Sequence, residues 1–250
     1  MEGLPAELVA WLTDSANWSG PNGVPTRLLE HVQLSGLSVL VAMAVALPLG
    51  LFIGHTARFT LLVVSIANIG RALPSFALLV MALPVVLALG LGLGFWPTFV
   101  PLVLLAIPPI LTNTYVGVRG VDQDLVEAAR GMGMRDSQVV LRVELPSALP
   151  IIFAGLRIAA VQVVATATLG AVVASGGLGR YIVDGLAQQD VPRLVVGAVL
   201  VALLAVGTER ALSLLERRVV SAGIRAPSTR EVAVAGGTDP TPSGATALPP

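Results

Sequence analysis

The sequence predicts an all-α polytopic membrane protein, and three observations support this fold class. The 250 residues are 55% hydrophobic and only 12% charged, with a mean hydropathy of +0.85, whereas soluble domains carry about 25% charged residues. The stretch 32–54 contains no charged residue and is long enough to cross a hydrocarbon core of about 30 Å. Apolar stretches of similar length recur at 96–115, 151–174 and 191–215.

The first 31 residues are expected to form an extracytoplasmic or interfacial segment, not a cleaved signal peptide. No basic residue precedes the apolar run 4–12, and Glu2 stands where a signal peptide carries positive charge. Trp11 and Trp18 are typical of the boundary between membrane and water. The transmembrane domain is therefore predicted to begin at residue 32.

The stretch 59–94 decides the number of spans, because it is too long for one straight helix and short for two. Pro74 and Pro84 interrupt it. If it forms one broken, tilted span, there are five spans; if it forms two, there are six. The five-span count places most arginines on the cytoplasmic side, as the positive-inside rule favours. These arginines are Arg58, Arg119, Arg130, Arg135, Arg142, Arg210, Arg217, Arg218, Arg225 and Arg230.

Three further segments complete the predicted organisation. Residues 118–150 form a charged segment that lies in the cytoplasm on both counts. Residues 175–190 are expected to be a short exposed loop after the next-to-last span. Residues 216–250 are rich in Pro, Gly, Ser, Thr and Ala, which is typical of a disordered tail. The predicted transmembrane domain therefore covers 32–215.

The charged segment (residues 118–150) is predicted to form two short helices joined by a glycine-containing kink. Residues 124–130 contain strong helix formers, with acids at the amino end, where the helix dipole favours them. Residues 135–145 can form a second helix, which Pro146 and Pro150 are expected to end. A charged run on its own is typical of an ordinary interhelical loop.

The spacing of residues within the charged segment is more specific. It resembles the cytoplasmic coupling loop of ABC importer permeases, E-A-A-x3-G-x9-I-x-L-P, with Val143 at the Ile position. The matching residues are Glu127, Ala128, Ala129, Gly133, Leu145 and Pro146. The resemblance implies a type I, MetI-like ABC importer permease, a helical bundle of five core transmembrane helices, with six possible.

Other stretches resemble the osmoprotectant branch of these permeases, which takes up glycine betaine, choline, carnitine and proline-type solutes. They lie at 71–75, 108–117, 165–169 and 175–179. Thr112 departs from this branch, which more often has Arg there. Import of another small solute, such as an amino acid, stays open as an alternative.

The resemblance also implies partners and a location. The partners are an ABC ATPase dimer that binds ATP and Mg, a second permease subunit (an identical copy or a paralogue), an extracytoplasmic solute-binding protein and the lipid bilayer. No nucleic acid partner, metal or cofactor is expected on this chain. The location is the bacterial inner (plasma) membrane, and the chain itself is expected to catalyse no reaction.

Polar residues within the predicted spans are candidates for a translocation path or its gate. They are Asn68, Arg71, Asn113, Tyr115, Gln162 and Thr166. Arg71 could equally be structural and extend its charge to the membrane surface. The span that carries the last two also has small residues, among them Gly155, Gly170 and Ala174. Small residues at this spacing favour tight helix packing over direct solute contact.

Three other functions conflict with the sequence. The glycines at 176–179 do not form a nucleotide loop, because no G-x-x-x-x-G-K-[ST] is present and the chain contains no Lys. An ion-coupled transporter usually needs an intramembrane carboxylate or cation site, and the only acid within a predicted span is Glu209, near its cytoplasmic end and beside Arg210. An intramembrane enzyme is disfavoured because there is no Cys and no H-E-x-x-H motif.

With 4% aromatic residues, the chain is poorly suited to build an aromatic cage for a quaternary ammonium ion.

Overall fold

The computed structural model describes residues 3–72 and 74–220, and these ranges contain helices and turns without any strand. The all-α fold class is confirmed. A 3-10 turn lies at Ser15–Trp18, a π-helical turn at Val140–Glu144, and a 3-10 segment at Thr168–Val173. The helices are α1 (Leu4–Thr13), α2 (Val24–Thr56), α3 (Thr60–Ala72), α4 (Ser75–Ala88), α5 (Phe95–Arg119), α6 (Gln123–Gly131), α7 (Asp136–Val139), α8 (Leu145–Ala167), α9 (Gly179–Gln188) and α10 (Val191–Val219).

Helices α2, α5 and α8 form the centre of the bundle, and small residues line their contacts. Ala42, Ala46, Ala106 and Ala159 are fully buried in the main apolar cluster. Lipid chains are as apolar as leucine, so helices in a membrane associate through close van der Waals packing. Alanine permits this close approach, and these positions explain why the three helices pack together.

Four helical stretches are long and apolar enough to cross a membrane: α2, α5, the continuous stretch Asp136–Val173, and α10. Two of them extend past the predicted limits of the transmembrane domain. Helix α2 begins at Val24, not at 32, and its first turns carry an Arg27–Glu30 ion pair of 2.9 Å. Helix α10 continues past 215 to Val219. The predicted tail from 216 therefore begins as helix, and its residues 221–250 lie outside the described part of the chain.

Helices α3 and α4 together make one pass through the bundle. Their 13 and 14 residues, at about 1.5 Å per residue, are each too short to cross a bilayer. At the start of α3, the Thr60 hydroxyl lies 3.5 Å from the hydroxyl of Tyr115, which is near the carboxyl end of α5. After α4, the Gly94 N–H donates to the Val173 carbonyl oxygen, at 2.8 Å, beside the amino end of α5. The segment thus connects opposite ends of the bundle once, which supports five spans.

The expectation of an exposed loop at 175–190 is wrong, because this stretch contains α9. Tyr181 of α9 is 3% exposed and packs edge-to-face on Trp11 of α1, with ring centroids 5.7 Å apart. Its hydroxyl donates to the Asn22 carbonyl oxygen at 2.6 Å. The glycines before α9 suggested a loop, but the aromatic contact ties this segment to the amino-terminal residues.

The arrangement predicts which side of the membrane each end occupies. A reporter fused after Gly94 is expected to be external, and one fused after Arg142 cytoplasmic, because the two residues lie at opposite ends of the bundle. Alkaline phosphatase and fluorescent-protein fusions measure this directly, with a fusion after Arg119 as an internal control. A cytoplasmic reporter at Gly94 contradicts both the five-span and the six-span count.

Candidate functional site

The charged segment (residues 118–150) folds around a small apolar core of its own. The Asp122 side chain caps α6 by accepting a hydrogen bond from the Asp124 N–H at 3.0 Å. Arg130 lies in the last turn of the helix, where its positive charge interacts favourably with the helix dipole. The core of the segment is formed by Val121, Val126, Ala129, Val139, Met134 and Val143. The segment therefore has a defined shape.

The outer surface of the charged segment carries both polar and apolar side chains. Glu127 and Ala128 are exposed, whereas Ala129 faces the core of the segment. Large apolar side chains are also exposed, Met132 by 77% and Leu141 by 61%. Apolar side chains at the exposed end of a charged knob are typical of a surface that binds another protein.

Gly133 ends α6 in a conformation that favours glycine. Its φ is +81°, and two backbone hydrogen bonds close the turn: Gly133 N–H to the Arg130 oxygen at 2.9 Å, and Met134 N–H to the Ala129 oxygen at 3.2 Å. Together they form a Schellman motif. A Cβ at this position would meet nothing within 4 Å of the chain. The backbone conformation therefore requires glycine here, and crowding within the chain does not.

The second predicted helix does not end at Pro146 or Pro150, so that part of the prediction is wrong. Helix continues from Asp136 through the π-helical turn into α8 and on to Val173. Leu145 and Pro146, both half-buried, form the first turn of α8. The hydrogen-bond pattern changes just before Pro146, so its missing N–H falls where the regular ladder is already interrupted.

Three of the six candidate path residues meet at one cavity of about 450 Å³ between α3, α4, α5 and α8. They are Asn113, Gln162 and Thr166, and the sequence analysis missed the contribution of Ser75. Thr112, noted above only as a departure from the osmoprotectant branch, also lines it. The Asn113 amide donates to the Pro109 carbonyl oxygen at 2.8 Å, which fixes its orientation. The polar side chains among the described lining residues are hydroxyls and amides, and the others are apolar or glycine.

The other three path candidates lie elsewhere or cannot be placed. Tyr115 does not line the cavity, and its hydroxyl lies near Thr60 instead. Asn68 and Arg71 belong to α3, but their side chains lie outside the described residues. Their assignment to a path or gate stays a prediction.

Two of the three proposed packing residues lie at close helix contacts. A Cβ at Gly155 would lie 2.5 Å from the Asn113 Cβ, and one at Gly170 would lie 2.5 Å from Thr98 Cγ2. Ala174 is placed differently. It is exposed, with φ of +65°, and it ends the 3-10 segment after α8 without packing between helices.

The opposite end of the bundle contains a polar contact that the sequence analysis did not identify. His31 Nε2 lies 2.9 Å from the Val164 carbonyl oxygen, and its Nδ1 accepts from the Leu178 N–H at 3.2 Å. Glu30 accepts from the Gly177 N–H at 2.8 Å. The glycine stretch 176–179 is thus held by hydrogen bonds from its backbone N–H groups to the Glu30 and His31 side chains of α2. The adjacent acid and histidine at the start of the first span were the available signal.

Within the described residues, no group of three His, Asp or Glu side chains is arranged to hold a metal ion. The arrangement has three parts: the charged segment at one end of the bundle, a cavity with polar lining residues midway along the helices, and a glycine turn at the opposite end. Such an arrangement can bind a partner protein at the knob and admit a small polar solute between the helices.

Comparison with known proteins agrees with this geometry. Residues 46–221 match the family described as binding-protein-dependent transport system inner membrane component. The chain is 37% identical to the carnitine transport permease protein OpuCB of Listeria monocytogenes, over 78% of this chain and 88% of that protein. It is also 37% identical to the choline transport system permease protein OpuBB of Bacillus subtilis, over 80% and 89% of the two chains.

A solved structure has the same fold. The inward-facing MetNI methionine ABC transporter contains a chain that superimposes with a TM-score of 0.69 at 26% identity, covering 79% of this chain and 96% of the other.

Proposed function

The chain belongs to the family of binding-protein-dependent transport system inner membrane components, and on this basis we propose that it imports quaternary ammonium osmoprotectants of the carnitine, choline and glycine betaine type. The observation that carries the proposal is the similarity over most of the chain to permeases named for carnitine and choline. The cavity is compatible with such solutes, because the described residues that line it offer hydroxyl and amide dipoles that can solvate a small polar solute.

ATP hydrolysis is assigned to a separate subunit. The sequence contains no Lys, so it cannot supply the lysine that contacts nucleotide phosphates in a P-loop. The exposed end of the charged segment, with Glu127 and Met132, is the surface that an ABC ATPase would bind. Closure of two ATPase subunits around ATP would then move the segment and tilt the helices attached to it.

The remaining assembly follows from the same proposal. Two permease subunits span the bacterial inner membrane, with residues 1–31 outside and the tail from 216 in the cytoplasm. A solute-binding protein delivers the solute to the external end. Because the chain is poor in aromatic side chains, selection of the ammonium group is left mainly to that binding protein.

Amino-acid import is the second candidate, because the methionine transporter shares the fold. Its identity of 26% is lower than the 37% shared with the carnitine and choline permeases. Osmoprotectant import is therefore the better supported of the two.

The test is uptake by reconstituted transporter. The chain is assembled in liposomes with the ATPase and the binding protein encoded beside it, and uptake of labelled choline, carnitine, glycine betaine and methionine is measured. We expect ATP-dependent uptake of at least one quaternary ammonium solute and none of methionine. Uptake of methionine alone supports the second candidate, and uptake that follows an ion gradient without ATP contradicts both.

The cavity gives a sharper prediction. Gln162→Leu removes one amide from its wall, and we expect the solute concentration for half-maximal uptake to rise by roughly threefold to tenfold, the effect of one lost hydrogen bond. ATP hydrolysis without solute should not change. Gln188→Leu on α9, which does not line the cavity, is the matched control. Equal uptake curves for the two variants would place the solute path elsewhere.

A further inference from the structure

The carboxyl end of α2 is joined by a shielded hydrogen bond to Glu144, close to where the charged segment enters α8. His55 Nδ1 lies 2.9 and 2.8 Å from the two carboxylate oxygens of Glu144. The side chains are only 13% and 6% exposed. A carboxylate only accepts hydrogen bonds, so the Nδ1–H donates. Glu144 is the last residue of the π-helical turn, directly before α8.

The same end of α2 also contacts the start of the charged segment. Gly54 packs against α5 so closely that a Cβ there would lie 2.7 Å from the Val118 Cβ. Val118 is where the charged segment begins. Adjacent residues of α2 therefore contact the charged segment at two places: Gly54 packs against its first residue in α5, and His55 is hydrogen-bonded to Glu144 just before α8.

The neighbouring charges are arranged differently from the shielded pair. His55 Nε2 lies 3.8 Å from Asp136 Oδ1, and Arg130 lies 3.6 Å from the same oxygen. Asp136 is 76% exposed and Arg130 is 50% exposed, so solvent screens their interactions. Glu144 is almost fully enclosed, and loss of its partner would leave a buried charge unpaired.

The π-helical turn accounts for the position of Glu144. Each residue of an α-helix rotates the side chain by about 100°, so the extra residue of a π turn changes which face the residues before it occupy relative to α8. Turns of this kind occur frequently at functional sites. Here the turn ends at Glu144, the glutamate that contacts α2 through His55.

We propose that His55 is a positioning residue that binds the end of α2 to the charged segment through Glu144, so that movement of the segment is passed to α2 together with α5 and α8. The inference rests on the proposed function, since it assumes that an ATPase moves the segment. Without this contact, α5 and α8 would still move with the charged segment, because they are covalently continuous with it. Helix α2 would then be coupled to the segment through apolar packing, such as that of Gly54 on Val118.

The test measures solute imported per ATP hydrolysed by the assembled transporter in liposomes, with choline, carnitine and glycine betaine as probes. His55→Leu removes the donor, and we expect the ratio to fall by roughly threefold or more, the range in which coupling mutations act. His55→Asn keeps a donor near the Nδ1 position and is expected to retain most of the parent ratio. Co-purification with the ATPase is measured for every variant.

The double variant His55→Leu/Glu144→Met separates positioning from simple stabilisation. It removes the buried charge together with its partner, so folding and assembly should recover, but the bond between α2 and the segment is still absent. We expect a low ratio in this variant. A ratio equal to that of the parent would show that the pair only satisfies a buried charge and would overturn the inference. If the parent itself neither assembles with an ATPase nor imports these solutes, the proposed function has failed instead.

Discussion

Gly133→Asp is expected to abolish ATP-coupled uptake while leaving the amount of membrane-inserted protein at the parent level. Gly133 has φ of +81°, and a Cβ there meets nothing within the chain. The added side chain therefore clashes with nothing in the chain, and the isolated subunit bears only backbone strain, which Asp tolerates better than most residues other than Gly. An effect larger than that strain must come from the partner surface, which would have to desolvate a new charge.

Three variants separate backbone strain from partner contact. Gly133→Ala introduces strain of about 1 kcal/mol without a charge, so we expect weaker but measurable uptake. Gly133→Asn matches Asp in shape, tolerates the same φ and lacks the charge, so it should be less harmful than Asp. Co-purification with the ATPase and uptake per ATP are the measurements. If Gly133→Asp assembles and transports like the parent, the charged segment is not the element that binds the ATPase.

The charged segment shows what local sequence can and cannot predict. Helix formers, a terminal glycine and the spacing of Glu127 and Gly133 predicted a helix and a kink, because these depend on neighbouring residues. The same reasoning ended the second helix at Pro146, where the structure has a π-helical turn and a continuous helix. Within this turn Glu144 contacts His55 of α2, which is distant in sequence, and local propensity carries no information about such a contact.

The cavity likewise has one feature that local sequence predicts and one that depends on how the helices pack. Gln162 and Thr166 are four residues apart, so their common helical face was predictable. Their meeting with Asn113 of α5 depends on how two helices cross, which no local pattern specifies. Tyr115 is two residues from Asn113, a rotation of about 200°, and it therefore faces α3 instead of the cavity. Among polar residues on one span, position on the helix decides which of them can meet a solute.

The second large effect is expected at Gly155, where α8 packs tightly against α5 beside the cavity. A Cβ there would lie 2.5 Å from the Asn113 Cβ and 2.7 Å from the Pro109 carbonyl oxygen. The second neighbour is backbone, which cannot rotate away. Gly155→Ala should therefore already destabilise the bundle, and Gly155→Leu should do so by about 3 kcal/mol or more, the upper end for overpacked cores.

Gly155→Leu should also inactivate transport, because the helix that it displaces carries Asn113 into the cavity. Gly207→Leu on α10 is the matched control, since a Cβ at Gly207 meets nothing within 4 Å and the added side chain can face lipid or open space. Thermal unfolding in detergent and ATP-dependent uptake are measured for both variants. We expect a lowered midpoint and no uptake for Gly155→Leu, and values near the parent for Gly207→Leu. If the two variants unfold and transport alike, α5 and α8 do not pack against each other at Gly155, and Asn113 does not line the cavity as described.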